Sequence, residues 1–211
     1  MITLVSKLHR DIFWEDLSDF CKPQAGDQLH VTLKNDEQVI FDVTKDGSGK
    51  MFFVLNDCLR TGRMMGYNSN NNGWSGMELR TYLNNDVFAL LPDELQAMIV
   101  PTKIVQVVHG RRIECEDKLF CLSKTQVFGR EHNNANTWAT EEPEDSQLEI
   151  FKGRKNRMKL YGIDGDMAHW WLRSPHAFGS SGFRLVTSEG GRGYSHADWH
   201  CGVCFSFCIQ S

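Results

Sequence analysis

The chain has 211 residues, 41% of them hydrophobic and 24% charged, which excludes intrinsic disorder and a fibrous repeat and suits one domain, residues 1–211, around a single core. A net charge of -4 leaves no concentrated basic face of the kind that counterion-release binding needs, so nucleic acid is not an expected partner. No run of about 18 apolar residues offers a membrane span, and the first residues lack the basic and apolar regions of a secretory leader, so a cytoplasmic location is expected.

From Leu4 to Phe20, the residues Leu4, Leu8, Ile12, Phe13, Leu17 and Phe20 recur at three- and four-residue spacing, which predicts an opening amphipathic helix. Asp11, Glu15, Asp16 and Asp19 fall between them as its solvated back. The pattern then changes to alternation: Leu29, Val31 and Leu33, a polar interval from Lys34 to Glu37, then Val39, Phe41 and Val43 predict a hairpin. Helix and hairpin together make residues 1–49. The continuous apolar run from Met51 to Leu55 predicts a strand covered on both faces. Residues 67–73 hold no aliphatic side chain and predict a loop.

A helix is predicted from about Gly76, with Met77, Leu79, Tyr82, Leu83 and Val87 on one side, and a second from Pro92 to Pro101. Lys118 to Ser123 predicts another strand. Arg130 to Asn156 is polar, charged and poor in aliphatics, an excursion of the length associated with lids and rims. The seven cysteines are odd in number and sit mostly inside apolar runs, which points to reduced thiols rather than a disulfide scaffold.

Two rigid apolar blocks bracket a soft one at the C-terminal end. The first is Trp170-Trp171-Leu172-Arg173-Ser174-Pro175 and the second runs from Gly202 to Ile209. In the second block the two-residue period puts Cys204, Ser206 and Cys208 on one face and Phe205, Phe207 and Ile209 on the other. Between the blocks, residues 174–201 carry His176, Phe178, Arg192, Tyr194, His196, Asp198, Trp199, His200 and Cys201 among interleaved glycines. Aromatics, histidine and arginine on glycine- and serine-rich loops are the composition of a binding surface, so these nine are the predicted ligand-binding residues.

Four blocks carry a family resemblance: Gly73-Trp74-Ser75-Gly76 with Glu78, Leu79, Arg80, Tyr82, Leu83 and Asn84; the Leu90-Leu91-Pro92 turn; Asp117 to Ser123; and the two C-terminal blocks with Phe183 and Val186. Over residues 50–211 the chain resembles a bacterial and phage domain family of unassigned function. That resemblance implies an α+β, C-type-lectin-like fold related to formylglycine-generating enzymes, with antiparallel sheets and a few helices. It further implies likeness to variable proteins of diversity-generating retroelements, whose 3′ coding segment is rewritten by adenine-directed mutagenesis. The implied function is ligand binding through a hypervariable surface, residues 174–201, toward a protein or other macromolecule, in a cytoplasmic or phage-particle setting. His176, Phe178, Gly179, Gly182, Leu185, Thr187, Arg192, Tyr194, His196, Asp198, His200 and Cys201 are all reachable from asparagine codons, whereas Trp199 is not.

Three competing chemistries are weighed on the same residues. His196, His200, Cys201 and Cys204 have zinc-ligand chemistry, but a structural site needs four ligands that converge and no second Cys-x-x-Cys is present. Cys201 and Cys204 are the candidate pair for a copper-dependent thiol oxidase, the enzyme alternative implied by formylglycine-generating enzymes, although the pair enters a strand rather than a helix N-terminus. Asp164 and Asp166 lack the further ligands of a calcium loop, and turn chemistry accounts for them. The expectation is a non-enzymatic protein with neither metal nor cofactor.

Overall fold

The computed structural model describes residues 10–17, 22–67, 69–130, 141–176 and 179–209. The opening helix is not found where the chain is described. Asp11–Phe13 (β1) is extended and pairs in parallel with Gln28–Thr32 (β2), and Trp14–Asp16 is a single 3-10 turn. Burial along β1 has the two-residue rhythm of an edge strand, with Ile12 inside and Phe13 out. Pairing with β2, fixed by the N–H of Gln28 on the Arg10 carbonyl at 2.9 Å and the Arg10–Asp27 ion pair at 2.6 Å, overrides a weak helical period. The remainder of the predicted helix, residues 1–9 and 18–21, lies outside the described residues.

The hairpin forms as its alternation predicts. β2 and Gln38–Lys45 (β3) pair with Leu29 opposite Phe41 and Val31 opposite Val39, and Asp36 takes a positive φ of 66° in the turn. β3 pairs with Met51–Leu55 (β4), and β4 with the last strand, Phe205–Ile209 (β14). β14 also bonds Ile99–Val100 (β5) and Phe120–Cys121 (β8), so one five-residue strand joins three others. Both of its faces are buried. Phe205 and Phe207 meet Phe41 edge-on at 5.5 and 5.0 Å, and Phe207 stacks on Phe53 at 5.0 Å. Each such ring stabilises the fold by about 1.5–3 kcal/mol through apolar burial.

Glu78–Tyr82 (α1) continues through a π-helical turn, Leu83–Val87, into Phe88–Leu90 (α2), and Asp93–Met98 (α3) opens after Pro92. Thr102–Val108 (β6) and Arg111–Asp117 (β7) form a hairpin closed by His109 and Gly110, both at positive φ, as a two-residue turn requires. Lys124–Phe128 (α4) begins in a capping box, Ser123 with Gln126. Lys159–Leu160 (β9) pairs with Met167–Ala168 (β10). Trp170–Pro175 (β11), Gly182–Val186 (β12) and Arg192–His196 (β13) make a separate antiparallel sheet. The described architecture is α+β, dominated by antiparallel pairing.

Polar side chains of the signature blocks connect these layers inside the protein. Asp117 accepts from Trp74 Nε1 at 2.7 Å and Arg80 Nε at 2.8 Å. Gln106 accepts from the Trp74 backbone at 2.9 Å and donates to the Arg173 carbonyl at 3.1 Å. The Arg173 guanidinium, fully buried, donates to the Cys121 carbonyl at 3.0 Å, to Gln126 Oε1 at 2.6 Å and to Asp145. Ser174 donates to Glu142, as does Thr125 at 2.8 Å. The excursion after Arg130 is therefore tied down at its far end: Glu142, Leu148 and Phe151 are buried, and Glu141 bonds Val107. Residues 131–140 lie outside the described part.

Burial, followed by the neighbouring Asp145, pushes the Glu142 carboxyl above the usual range, while Arg173 and Ser174 pull it down. A folded pKa above the unfolded one means that the native state binds the proton more tightly. This contribution is present at low pH and is lost as pH rises through the folded value. Glu142→Gln removes the titration while keeping the shape, so its stability relative to the native protein is expected to rise in urea unfolding as pH increases above the ordinary carboxylate range. A difference independent of pH would refute the assignment.

Candidate functional site

The hairpin of β12 and β13 places the candidate residues. Thr187 N–H bonds the Gly191 carbonyl at 2.9 Å and Gly190 N–H bonds the Thr187 carbonyl at 2.8 Å, with Gly190 at a φ of 73°. Register then puts Arg184 opposite Tyr194, Gly182 opposite His196 and Val186 opposite Arg192. Exposure alternates along β13: Arg192, Tyr194 and His196 are open to solvent, and Gly193 and Ser195 are half-buried. A Cβ on Gly193 would stand 2.6 Å from Leu185 Cδ1, so any larger residue there requires Leu185 to move.

The next residue, Ala197, is a buried peg. Its N–H bonds the Ser181 carbonyl at 2.8 Å, and its carbonyl accepts from Met65 at 2.7 Å and Gly66 at 3.1 Å. Asp198, Trp199 and His200 are consequently held outward in a turn, with Trp199 N–H on the His196 carbonyl at 3.1 Å. Cys201 then returns inside and exchanges backbone bonds with Arg63 at 2.9 and 3.1 Å. Tyr194 and Trp199 remain 64% and 63% exposed, unusual values for rings of that size.

Six of the nine predicted residues, Arg192, Tyr194, His196, Asp198, Trp199 and His200, thus share a solvent-exposed ridge. His176 does not project beside them. It is 7% exposed and its ring lies under Tyr194, centroids 4.0 Å apart and 22° from parallel. It braces the ridge from below. Cys201 is likewise buried, and Phe178 lies outside the described residues. Within residues 174–201, Gly182, Phe183, Leu185, Val186 and Ala197 are also buried, so the segment is not uniformly tolerant as its composition suggests. His196 has Ser181 Oγ 3.1 Å from its Nδ1.

Tyr67 is a surface residue that sequence reasoning passed over. It is 67% exposed and follows Gly66, whose N–H is on Ala197, so a second exposed aromatic adjoins the turn. A lone tyrosine in an asparagine-rich loop was the available signal. Asn70, in the same loop and fully buried, donates to the carbonyls of His176, Gly179 and Gly182 at 3.3, 3.0 and 2.9 Å. One amide therefore fixes the connection between β11 and β12.

The family model of a domain of unknown function, DUF6273, matches residues 48–211. The chain belongs to this family. Comparison with curated proteins and with solved structures gives no match. The DUF6273 region contains β4 through β14 and the whole ridge, whereas β1 to β3 lie ahead of it in sequence and complete its largest sheet. Its Trp74, Arg80, Asp117 and Arg173 belong to the buried polar chain and not to the ridge.

Metal and thiol chemistry find little support in this arrangement. His196 and His200 are on the surface, while Cys204 is fully buried with its Sγ on the Leu55 carbonyl at 3.3 Å. Among the described residues no three His, Cys, Asp or Glu side chains converge in a ligand-like group. Burial pushes the thiols of Cys201 and Cys204 up to about 11 each, the opposite of an activated thiolate. Asp164 faces Arg60 at 3.4 Å, and a Cβ on the intervening Gly165 would overlap the Tyr161 carbonyl, which marks a tight turn. No helix among the described residues is long and apolar enough to cross a membrane.

Asn70→Ala removes the amide shared by the His176, Gly179 and Gly182 carbonyls, of which Gly182 keeps the His176 N–H, and is expected to cost about 2 kcal/mol in urea unfolding. The His176–Tyr194 contact loosens with it, which ring-current shifts of Tyr194 would report. Unchanged stability and shifts would show that Asn70 does not hold the ridge.

Proposed function

We propose that this chain is a ligand-binding, receptor- or adhesion-type protein that presents the ridge of β13 and the following turn to a macromolecular partner, most naturally another protein. On this reading the scaffold is a C-type-lectin-like fold related to formylglycine-generating enzymes, and the ridge is the variable surface of a diversity-generating retroelement. The observation that carries it is the separation of roles between adjacent residues. Large, chemically varied side chains project at 192, 194, 196 and 198–200, and the residues between and beneath them are confined by packing. Rigid aromatics on such a support bind with little loss of side-chain freedom, which suits recognition rather than catalysis.

Saturating substitution at the six ridge positions is expected to leave unfolding free energy within about 0.5 kcal/mol of the parent for most residues, with larger losses at Gly193 and Ala197. A reverse transcriptase gene beside an adenine-rich near-copy of the segment is the genomic counterpart. Intolerance on the ridge overturns the surface reading, and the lack of such a gene overturns the diversification. Cys201→Ser with Cys204→Ser is expected to leave binding intact; copper-dependent oxidation of thiol peptides that this pair abolishes would establish the enzyme instead.

A further inference from the structure

The turn that carries Trp199 is flanked by the segment from Arg63 to Tyr67. Arg63 exchanges backbone bonds with Cys201 in an antiparallel bridge, and the N–H groups of Met65 and Gly66 both reach the Ala197 carbonyl. Arg63 therefore adjoins one end of the turn and Tyr67 the other. The segment is itself fixed from inside: the buried Trp171 donates through Nε1 to the Arg63 carbonyl at 2.8 Å, and Leu79 of α1 donates to the Met65 carbonyl at 3.0 Å.

α1 also supplies the ring that orients the Arg63 side chain. The Arg63 guanidinium carbon stands 3.6 Å from the centroid of Tyr82, closer than Lys118 to Phe88 at 4.5 Å or Arg157 to Phe128 at 4.9 Å. Tyr82 is half-buried and packs against the core, whereas Arg63 is exposed. Among the described residues no oxygen bonds the Arg63 guanidinium, and Asp198 of the adjacent turn forms no ion pair with it. Arg80, Arg112, Arg157 and Arg173 differ in this respect, since each meets an oxygen of the chain. Contact with a ring engages the face of a guanidinium and leaves its in-plane N–H groups to bond elsewhere.

We propose that Arg63, held on Tyr82, is a carboxylate anchor beside the ridge, and that the macromolecular partner presents an aspartate, glutamate or chain-terminal carboxylate to it. This rests on the ridge being a binding surface. A guanidinium fork matches a carboxylate through two parallel charge-assisted hydrogen bonds, and its orientation on the ring leaves less side-chain freedom to lose on binding. Arg63 and Tyr82 lie outside residues 174–201. A surface whose side chains vary within that segment keeps this anchor, so the carboxylate is the shared feature of otherwise different partners.

The test selects random linear peptides by display against the full chain, against Arg63→Gln and against Tyr194→Ala with Trp199→Ala. Peptides bound by the parent are expected to share an acidic residue, and those bound by Arg63→Gln to lack it. In calorimetric titration of one selected peptide, Arg63→Gln is expected to weaken binding about tenfold, and Arg63→Lys not to restore it, because an ammonium lacks the fork. Tyr82→Leu is expected to weaken the same peptide about threefold. Replacing the acidic residue of the peptide by its amide should weaken binding to the parent and leave binding to Arg63→Gln unchanged; the amide peptide also tests the parent directly if Arg63→Gln fails to fold. Binders that need Tyr194 and Trp199, ignore Arg63→Gln and share no carboxylate overturn the anchor and leave the ridge standing. Binders that need Arg63 but neither ring support the carboxylate site and overturn the ridge. Selection that yields no peptide dependent on Arg63 or on the two rings overturns both.

Discussion

A guanidinium sealed inside a protein has to be met by acceptors from several directions, and at Arg173 that requirement organises the fold. The side chain takes a carbonyl from β8, an amide oxygen from α4 and a carboxylate from Asp145 in the connection that follows α4. Its own carbonyl receives Gln106, which in turn holds Trp74. Desolvating such a charge is costly, and the ion pair alone need not offset it. What the arrangement supplies is a specific assembly: β6, β8, β11, α4 and the segment around Asp145 each place an acceptor or donor on this network, although Arg173 Nε itself is left without one. The signature residues Trp74, Arg80 and Asp117 extend the same network, so their spacing in the sequence reflects internal bonding rather than contact with a ligand.

Around this polar chain, β14 gathers the apolar one. Its aromatic face closes on Phe41 and Phe53, and its backbone is shared among β4, β5 and β8. The preceding residues, Cys201 to Cys204, enter the interior directly from the turn that carries Trp199 and His200. Surface and core are therefore separated by a single residue step. Ala197 and the Cys201–Arg63 bridge clamp the turn on either side, and exposed rings are held firmly without packing of their own.

Much of this was legible in the amino-acid sequence where a local period matched a tertiary environment. The alternation of Leu29, Val31, Phe41 and Val43, the apolar run from Met51 to Leu55 and the two-sided C-terminal strand all occur where that reasoning puts them. The helical region from Glu78 was readable as well, though not its π turn. The opening segment was misread because a pattern of Ile12, Phe13 and Leu17 satisfies a helix and an edge strand almost equally, and pairing with β2 decided between them. In the polar excursion, Leu148 and Phe151 were the clue to its anchoring, but the burial of Glu142 depends on Ser174 and Thr125, which are distant in sequence. Residue type likewise could not separate His176 from His196. The small residues Gly193 and Ser195, set between large ones, were the overlooked sign of which side faces out.

The crowding at Gly193 reaches beyond the folding of one chain. With Leu185 Cδ1 at the place a side chain would need, a lineage that keeps this scaffold either keeps glycine at 193 or shifts Leu185 with it, while the solvent-facing neighbours drift. Aligned descendants would show a pulse of replacement and silence along the strand, a record of geometry written in nucleotide substitutions and readable without knowing the ligand.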